Sequence, residues 1–156
     1  MKATTFSLEE TKKKLEYYCA YQDRCHAEVE AKLHALKVHG LQAAEVISHL
    51  VTNNFLNEER FAKSFARGKH RIKGWGKSRI VQELKMRNIT SYNINAALSE
   101  INEGYLETFD VMAEKIWINL TETNLLKKKK KFCDKLLRRG FEVDLVYSKM
   151  SELAGK

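Results

Sequence analysis

A short pattern of residues occurs three times along this chain and constrains its fold more than any other feature. In each copy an amphipathic helix ends in a leucine, a Gly or Asn with a hydrophobic residue follows four positions later, and a second apolar stripe comes next. Gly and Asn readily adopt the left-handed conformation found just past a helix end. The first and second copies align at an offset of 48 residues, and the second and third at 52. The copies are Leu36, Gly40, Leu41, Val46 and Leu50; Leu84, Asn88, Ile89, Ile94 and Leu98; and Leu136, Gly140, Phe141, Val146 and Met150.

A period of about 50 residues built from helices is typical of tandem-repeat proteins. The 156 residues contain no proline to interrupt a helix, and no stretch shows the strict alternation of a half-buried strand. We therefore predict an all-α fold of three tandem three-helix repeats in an elongated array that we expect to be curved. The predicted units are residues 1–54, 55–104 and 105–156.

Capping residues predict where individual helices start. Ser7 begins a capping box, so a helix is predicted from there to about residue 22. The second helix is predicted to start at Asp23 or Cys25 and to stop at Gly40. Asn57 is a suitable N-cap for the first helix of the central unit.

The positive charge of the chain is concentrated in two segments. The net charge is +8, and residues 60–90 carry ten Lys or Arg against one acid. Residues 127–156 carry ten against four, whereas residues 91–126 carry one lysine against six acids. Two positive segments separated by a negative one indicate a surface for a polyanionic or acidic partner, with solvated helix faces as the alternative.

The candidate binding residues come from these two segments. Trp75, between Gly74 and Gly76, is either an exposed anchor or a plug between helices. The five consecutive lysines lie near a predicted helix N-terminus, where the helix dipole disfavours cations, so their position suggests a partner. The full set is Arg67, Lys69, Arg71, Lys73, Trp75, Lys77, Arg79, Lys85, Arg87, Lys127, Lys128, Lys129, Lys130 and Lys131.

The sequence gives no sign of a catalytic, cofactor or metal site. The histidines and cysteines lack metal-ligand spacing, and the string Gly76-Lys77-Ser78 lacks the upstream glycine of a phosphate-binding loop. We therefore expect no enzyme activity, no cofactor and no metal. We predict a cytoplasmic protein with no membrane contact. The cysteines are odd in number and irregularly spaced, the N-terminus is polar, and there is no long apolar run.

Four sequence segments resemble the RecX regulatory proteins. The resemblance covers roughly residues 15–150 and is most specific in the central unit. Asn88 stands where the family usually has Gly, Cys25 stands where a Ser or Thr would cap the second helix, and the third unit shares pattern more than identity. The segments are Phe55-Leu56-Asn57-Glu58-Glu59-Arg60-Phe61-Ala62; Gly76-x-x-Arg79-Ile80-x-x-Glu83-Leu84; Asn88-Ile89; and Arg24-x-x-x-Glu28-Val29-x-x-Lys32-Leu33.

The resemblance implies a modulator of the RecA recombinase, acting in DNA repair, homologous recombination and the SOS response. Proteins of this family bind in the groove of the RecA–DNA filament and typically inhibit its ATPase, its growth and strand exchange. The implied partners are the RecA filament and, weakly, single- or double-stranded DNA, and we expect a monomer. The alternative is a stand-alone helical protein that binds DNA without sequence preference and without RecA.

Overall fold

The computed structural model describes residues 6–155, which form nine helices and no strand. The all-α repeat fold predicted from the sequence is confirmed. Residues 1–5 and Lys156, which begin the predicted first unit and end the third, lie outside the described residues. The helices are α1 (Leu8–Tyr21), α2 (His26–Ala35), α3 (Gly40–Thr52), α4 (Glu58–Arg71), α5 (Lys77–Met86), α6 (Ser91–Ser99), α7 (Tyr105–Asn119), α8 (Leu125–Arg138) and α9 (Val143–Ala154).

Three helices make up each unit, and the first and third of each unit pack together. Helix α1 contacts α3, α4 contacts α6, and α7 contacts α9. We call α1–α3 the first unit, α4–α6 the central unit and α7–α9 the third unit. The exact boundaries at residues 54 and 104 stay a prediction.

The predicted caps are confirmed at Ser7 and Asn57. The Ser7 hydroxyl accepts the backbone N–H of Glu10, whose carboxylate accepts the N–H of Ser7, which completes the capping box. Asn57 Oδ1 accepts the backbone N–H of Arg60 at 2.9 Å. Of the two predicted starts for the second helix, Cys25 is the N-cap.

The predicted end of α2 and the first copy of the repeated pattern are wrong by several residues. Helix α2 ends at Ala35, and the left-handed residue after it is Lys37, with φ +62°. Gly40 is also left-handed, but it opens α3, and Leu41 beside it is 90% exposed. The sequence therefore placed a left-handed glycine correctly but assigned it to the wrong end of the loop.

The corrected register shows the same helix end in all three units. The left-handed residues are Lys37, Asn88 and Gly140, so the first offset is 51 residues and the second is 52. In each unit the next residue donates its N–H to a buried leucine carbonyl five positions earlier, which is a Schellman-type closure. These bonds run from Val38 to Leu33 at 2.9 Å, from Ile89 to Leu84 at 3.1 Å and from Phe141 to Leu136 at 3.3 Å.

The apolar side chains form two cores, not three. One core lies within the first unit and includes Leu15, Leu33 and Leu50. The other runs continuously through the central and third units, where Ile80 and Phe109 are fully buried. The central and third units therefore share one core, which also includes Cys25 and the partly buried Ala27 at the start of α2. The other buried apolar residues of the first unit form a core of their own.

The central and third units meet through backbone at two glycines. The N–H of Gly76 donates to the carbonyl of Arg139 at 2.8 Å, and the N–H of Ser78 donates to the carbonyl of Gly140 at 3.0 Å. A Cβ on Gly76 would lie 2.4 Å from the carbonyl oxygen of Gly140, which is inside van der Waals contact. The glycine after Trp75 is therefore required by this contact between units, because no side chain fits there.

Candidate binding interface

An aromatic pair lies at the surface of the central unit. Phe65 on α4 and Trp75 in the α4–α5 loop have ring centroids 6.1 Å apart in an edge-to-face arrangement. Both side chains are half-buried. His70 fixes the loop, because its Nδ1–H donates to the Trp75 carbonyl at 2.9 Å. Trp75 therefore combines the two roles considered for it: it fills part of a gap between helices and leaves part of its surface exposed.

Three cations predicted to bind a partner lie over this pair. The Lys69 ammonium is 5.0 Å from the centroid of the Trp75 ring, and the Arg79 guanidinium is 4.1 Å from the same centroid. The Arg87 guanidinium lies 4.8 Å from the Phe65 centroid. Each such contact stabilises by about 0.5–1 kcal/mol at an exposed site. We call these five residues the Phe65–Trp75 cluster.

The cluster holds positive charge in fixed positions. A guanidinium stacked on a ring keeps its in-plane N–H groups available for a phosphate or carboxylate. Arg79 makes one long hydrogen bond, 3.5 Å to the Arg138 carbonyl. Arg87 donates to the carbonyl and the carboxylate of Glu83, so part of its bonding capacity is already used. The arrangement is suited to an anionic partner, with Arg79 the more available of the two arginines.

Three more of the predicted residues are exposed cations. Arg71 and Lys73 line a groove of about 510 Å³ between the central and third units, together with Lys115 and Arg139. Lys85 lies on α5 and is also exposed. The sequence pattern did not point to Arg139, because only the packing of the third unit brings it beside the end of α4.

Two of the predicted residues have partners inside the protein. Arg67 forms an ion pair with Glu100 at the end of α6. Lys77 donates to Asn102 Oδ1 at 2.7 Å, and its ammonium lies 4.6 Å from the Tyr105 ring. Both residues connect elements of the fold, so we expect them to contribute less to binding than the exposed cations.

The lysine run does not form a single ridge. Residues 127–131 lie in α8, where successive side chains are about 100° apart around the axis, so five of them point in all directions. The Lys128 ammonium lies 4.3 Å from the Trp117 ring centroid. Lys127 and Lys130 are exposed, and Lys129 is half-buried.

Two acids partly neutralise this run. Lys130 bonds Asp134 at 2.8 Å, and this bond raises the pKa of Lys130. Lys131 bonds Glu122 at 2.9 Å, and this bond lowers the pKa of the Glu122 carboxyl. The predicted position of the run near a helix N-terminus is confirmed, because α8 begins at Leu125 and has no acid in its first turn. The run thus places cations where the helix dipole disfavours them.

Neither metal ligands nor a membrane span were found in residues 6–155. No group of three His, Cys, Asp or Glu side chains in this range could hold a metal ion. No helix in this range is long and apolar enough to cross a bilayer. Cys19, Cys25 and Cys133 are buried and unbridged, and burial raises the pKa of each thiol.

A second cationic groove, on α1 and α2, was not predicted. Residues 1–59 carry a small net negative charge, so the net charge of this segment did not indicate the local group of lysines and tyrosines. The available signal was the spacing of Tyr17 and Tyr21, which lie one helical turn apart and about one turn after Lys13 and Lys14.

Comparisons with known proteins match the central unit and most of the chain. The family model described as "RecX, second three-helix domain" matches residues 57–98, which hold α4, α5 and most of α6. The regulatory protein RecX of Bacillus cytotoxicus is 28% identical over 137 residues, which is 87% of this chain and 51% of that protein. The chain is therefore similar to RecX proteins over most of its length, and its central unit matches the RecX family model. RecX of Bacillus thuringiensis is similar as well, with 26% identity over the same share of each chain.

Solved RecX structures have the same fold. The crystal structure of RecX from Lactobacillus salivarius matches with a TM-score of 0.75 and 24% identity, covering 96% of this chain and 97% of that one. A crystal structure of a regulatory protein RecX matches with a TM-score of 0.77 and 19% identity, covering 97% and 82%. This chain spans about half the length of the curated RecX relatives that it matches.

Proposed function

We propose that this chain binds the RecA–DNA filament and inhibits its ATPase, its growth and strand exchange. Similarity to these relatives supports a regulatory role, because they carry the name regulatory protein RecX. The observation that carries the proposal is the cationic face of the central unit. This face lies in the segment that matches the family model, residues 57–98.

The proposed contact is electrostatic. The Phe65–Trp75 cluster, with the exposed Arg71, Lys73 and Lys85, faces the filament groove and meets phosphates or acidic side chains there. Binding shifts the filament only if the chain has a higher affinity for one filament state than for another. The chain acts as an inhibitor if that preferred state is the one that hydrolyses ATP slowly or cannot grow.

The test is RecA ATPase activity on single-stranded DNA, titrated with this protein and with a charge-reversed variant. The variant combines Arg71→Glu, Lys73→Glu and Lys85→Glu, because all three side chains are exposed. Arg79 is left unchanged, since its backbone lies against Gly140 and its guanidinium bonds the third unit. We expect half-inhibition to require a roughly tenfold higher concentration, as charge reversal removes steering toward an anionic partner.

The matched control reverses three exposed charges outside the face, at Lys37, Lys135 and Arg138. It changes the net charge equally and should inhibit like the unmodified protein. Equal loss of inhibition in both variants would assign the effect to net charge alone. Full inhibition by the first variant, with its helicity intact, would reject the central face as the contact.

The alternative function is nonspecific DNA binding without RecA. The cationic cluster also suits this function, since phosphate contacts make the affinity fall with salt at a slope of about −0.9 per phosphate on duplex DNA. A salt series of DNA binding, with and without RecA, distinguishes the two. Tight duplex binding with no effect on the RecA ATPase would favour the alternative.

A further inference from the structure

The first unit carries an open groove of about 620 Å³ that the proposed function does not use. Four cations and three tyrosines line it, and none of its lining residues is acidic. The lining is Lys13, Lys14, Tyr17, Tyr18, Tyr21, Arg24, Lys32 and Leu36. We call this the tyrosine groove.

Two tyrosines of the groove are largely in water. Tyr17 and Tyr21 are each 74% exposed. They are four residues apart on α1, so their rings lie side by side on one face of the helix. Lys13 and Lys14, one turn earlier, are exposed as well. Two adjacent exposed rings bordered by cations form a surface with both stacking faces and positive charge.

Arg24 forms the fixed floor of the groove. Its guanidinium lies 3.7 Å from the centroid of the Tyr18 ring, and its Nε donates to the Tyr18 carbonyl at 3.0 Å. Its side chain is only 12% exposed, and Glu28 lies 3.6 Å from Nη1. The Lys32 ammonium is 5.4 Å from the same ring. These contacts hold two cations in place before any ligand arrives.

The nearby carboxylates have other partners. Glu10 accepts hydrogen bonds at the Ser7 cap, and Glu16 bonds His49 at 2.6 Å. Asp23 bonds Arg60 at 2.6 Å. The Lys14 ammonium lies 4.3 Å from the centroid of the Phe6 ring, a contact that leaves its charge unneutralised. The exposed lysines of the groove therefore keep their positive charge for an anion.

We propose that the tyrosine groove binds single-stranded nucleic acid. The phosphates of the bound strand would lie along Lys13, Lys14 and Lys32, and its bases would stack on Tyr17 and Tyr21. Cations that follow a backbone, combined with exposed aromatic rings, are the features by which proteins hold single strands without sequence preference. Duplex DNA fits less well, since its bases already stack on one another. An acidic peptide fits less well because its carboxylates do not stack on the two exposed rings.

One loop borders both the tyrosine groove and a groove of the central unit. Tyr21 and Arg24 line the tyrosine groove, whereas Gln22 and Asp23 between them line a groove of about 270 Å³ with Phe65 and Lys69. The loop of residues 21–24 thus borders both aromatic surfaces.

The experiment measures fluorescence anisotropy of a labelled 20-nucleotide oligo-dT and of a duplex of equal length, without RecA. The variant Tyr17→Ala/Tyr21→Ala should bind oligo-dT roughly 5-fold more weakly, or more, per tyrosine, because base stacking on an aromatic side chain is worth about 1–3 kcal/mol. The control is Tyr92→Ala on α6, whose side chain is equally exposed, at 74%, and lies outside the groove. It should bind like the unmodified protein.

A second variant tests the charges independently of the rings. Lys13→Gln/Lys14→Gln changes only exposed side chains, and it should reduce the salt slope of oligo-dT binding by about 0.7 for each phosphate that is no longer neutralised. Unchanged oligo-dT affinity in both variants would overturn the proposal. So would tighter binding of the duplex than of oligo-dT.

Binding of a polyglutamate peptide more tightly than oligo-dT, with weaker peptide binding in the tyrosine variant, would also overturn it and indicate an acidic protein partner. Because the assay contains no RecA, a negative result leaves the filament proposal standing. Loss of RecA inhibition in the central-face variant likewise leaves this proposal standing.

Discussion

The two junctions between units are built differently. Side-chain contacts join the first unit to the central unit: Asp23 forms an ion pair with Arg60 at 2.6 Å, and Glu58 accepts the backbone N–H of His26 at 3.2 Å. Cys25 of the first unit is also buried in the core of the central unit. Backbone joins the central unit to the third, at Gly76 and Gly140, over a continuous core. Side chains can adopt other rotamers when a neighbouring residue is substituted, but the backbone contact between the two glycines has no room for an added side chain.

This difference predicts two levels of stability. The central and third units share buried residues, so they should unfold as one block. The first unit has its own core and should open separately, since contiguous cooperative units of a protein can differ in local stability. Any regulation by relative movement should therefore occur at the first junction.

The largest effect is expected from Gly140→Ala. This glycine has φ +95°, and an added Cβ would lie 2.4 Å from the backbone nitrogen of Arg79. Left-handed strain and overpacking together should destabilise the protein by about 2–5 kcal/mol, measured by urea unfolding. The control, Gly68→Ala within α4, has no atom within 4 Å of the added Cβ and should stabilise by about 0.5–1 kcal/mol. If Gly140→Ala destabilises the protein by less than about 2 kcal/mol, the junction between the central and third units can shift to make room for the added Cβ.

A smaller effect at the same junction is expected from Tyr105→Phe. The Tyr105 hydroxyl donates to Glu142 Oε1 at 2.6 Å and accepts the backbone N–H of Lys77 at 3.1 Å. Removing a hydrogen bond to a charged group should destabilise by about 2 kcal/mol.

The effect of Tyr105→Phe should depend on pH. Burial, then the bond to Glu142, raises the pKa of Tyr105 above its ordinary value of 10.0. A raised folded pKa gives stability that is fully present below pH 10 and is lost as pH rises further. The gap between the two proteins should therefore narrow when unfolding is repeated above pH 10. If the difference in stability between the two proteins widens above pH 10, the Tyr105 hydroxyl is not the donor to Glu142. Tyr92→Phe is the exposed control.

At the first junction, Arg60→Met should cost less and act locally. Besides Asp23, Arg60 bonds the carbonyls of Asn54 and Phe55, each at 3.1 Å. Its replacement should destabilise the first unit by about 1–2 kcal/mol, seen as faster hydrogen exchange in α1–α3 than in α4–α9. Lys63→Met, which removes an ion pair within α4, is the control and should change exchange little. Equal acceleration in all nine described helices would mean that the chain opens as one unit.

The smallest effect, a gain, is expected from Lys37→Gly. Lys37 is the left-handed residue of the first unit, where the third unit has Gly140. Relief of left-handed strain, offset by the flexibility of glycine, should stabilise by about 0.5–1 kcal/mol, measured as a shift in the urea midpoint. Asn88→Gly should gain less, because Asn tolerates this conformation. A destabilised Lys37→Gly variant would show that the lysine side chain stabilises the first unit in another way.

The features that depend on local chemistry could be predicted from the residues alone. Helix periodicity predicted the all-α repeat, and Ser7 and Asn57 predicted two helix starts, because a capping hydrogen bond involves residues three positions apart. The match of the central unit to the RecX family also follows from its residues alone.

The choice of the left-handed residue that ends α2 depends on contacts between helices. Gly40 has the better intrinsic propensity, but the burial of Leu33 and Val29 against α1 and α3 places the helix end at Lys37. Packing also brought Phe65, Trp75, Arg79 and Arg87 together. Local propensity acts over a few residues, whereas these positions are set by contacts between residues far apart in the chain, and only folding reveals which contacts form.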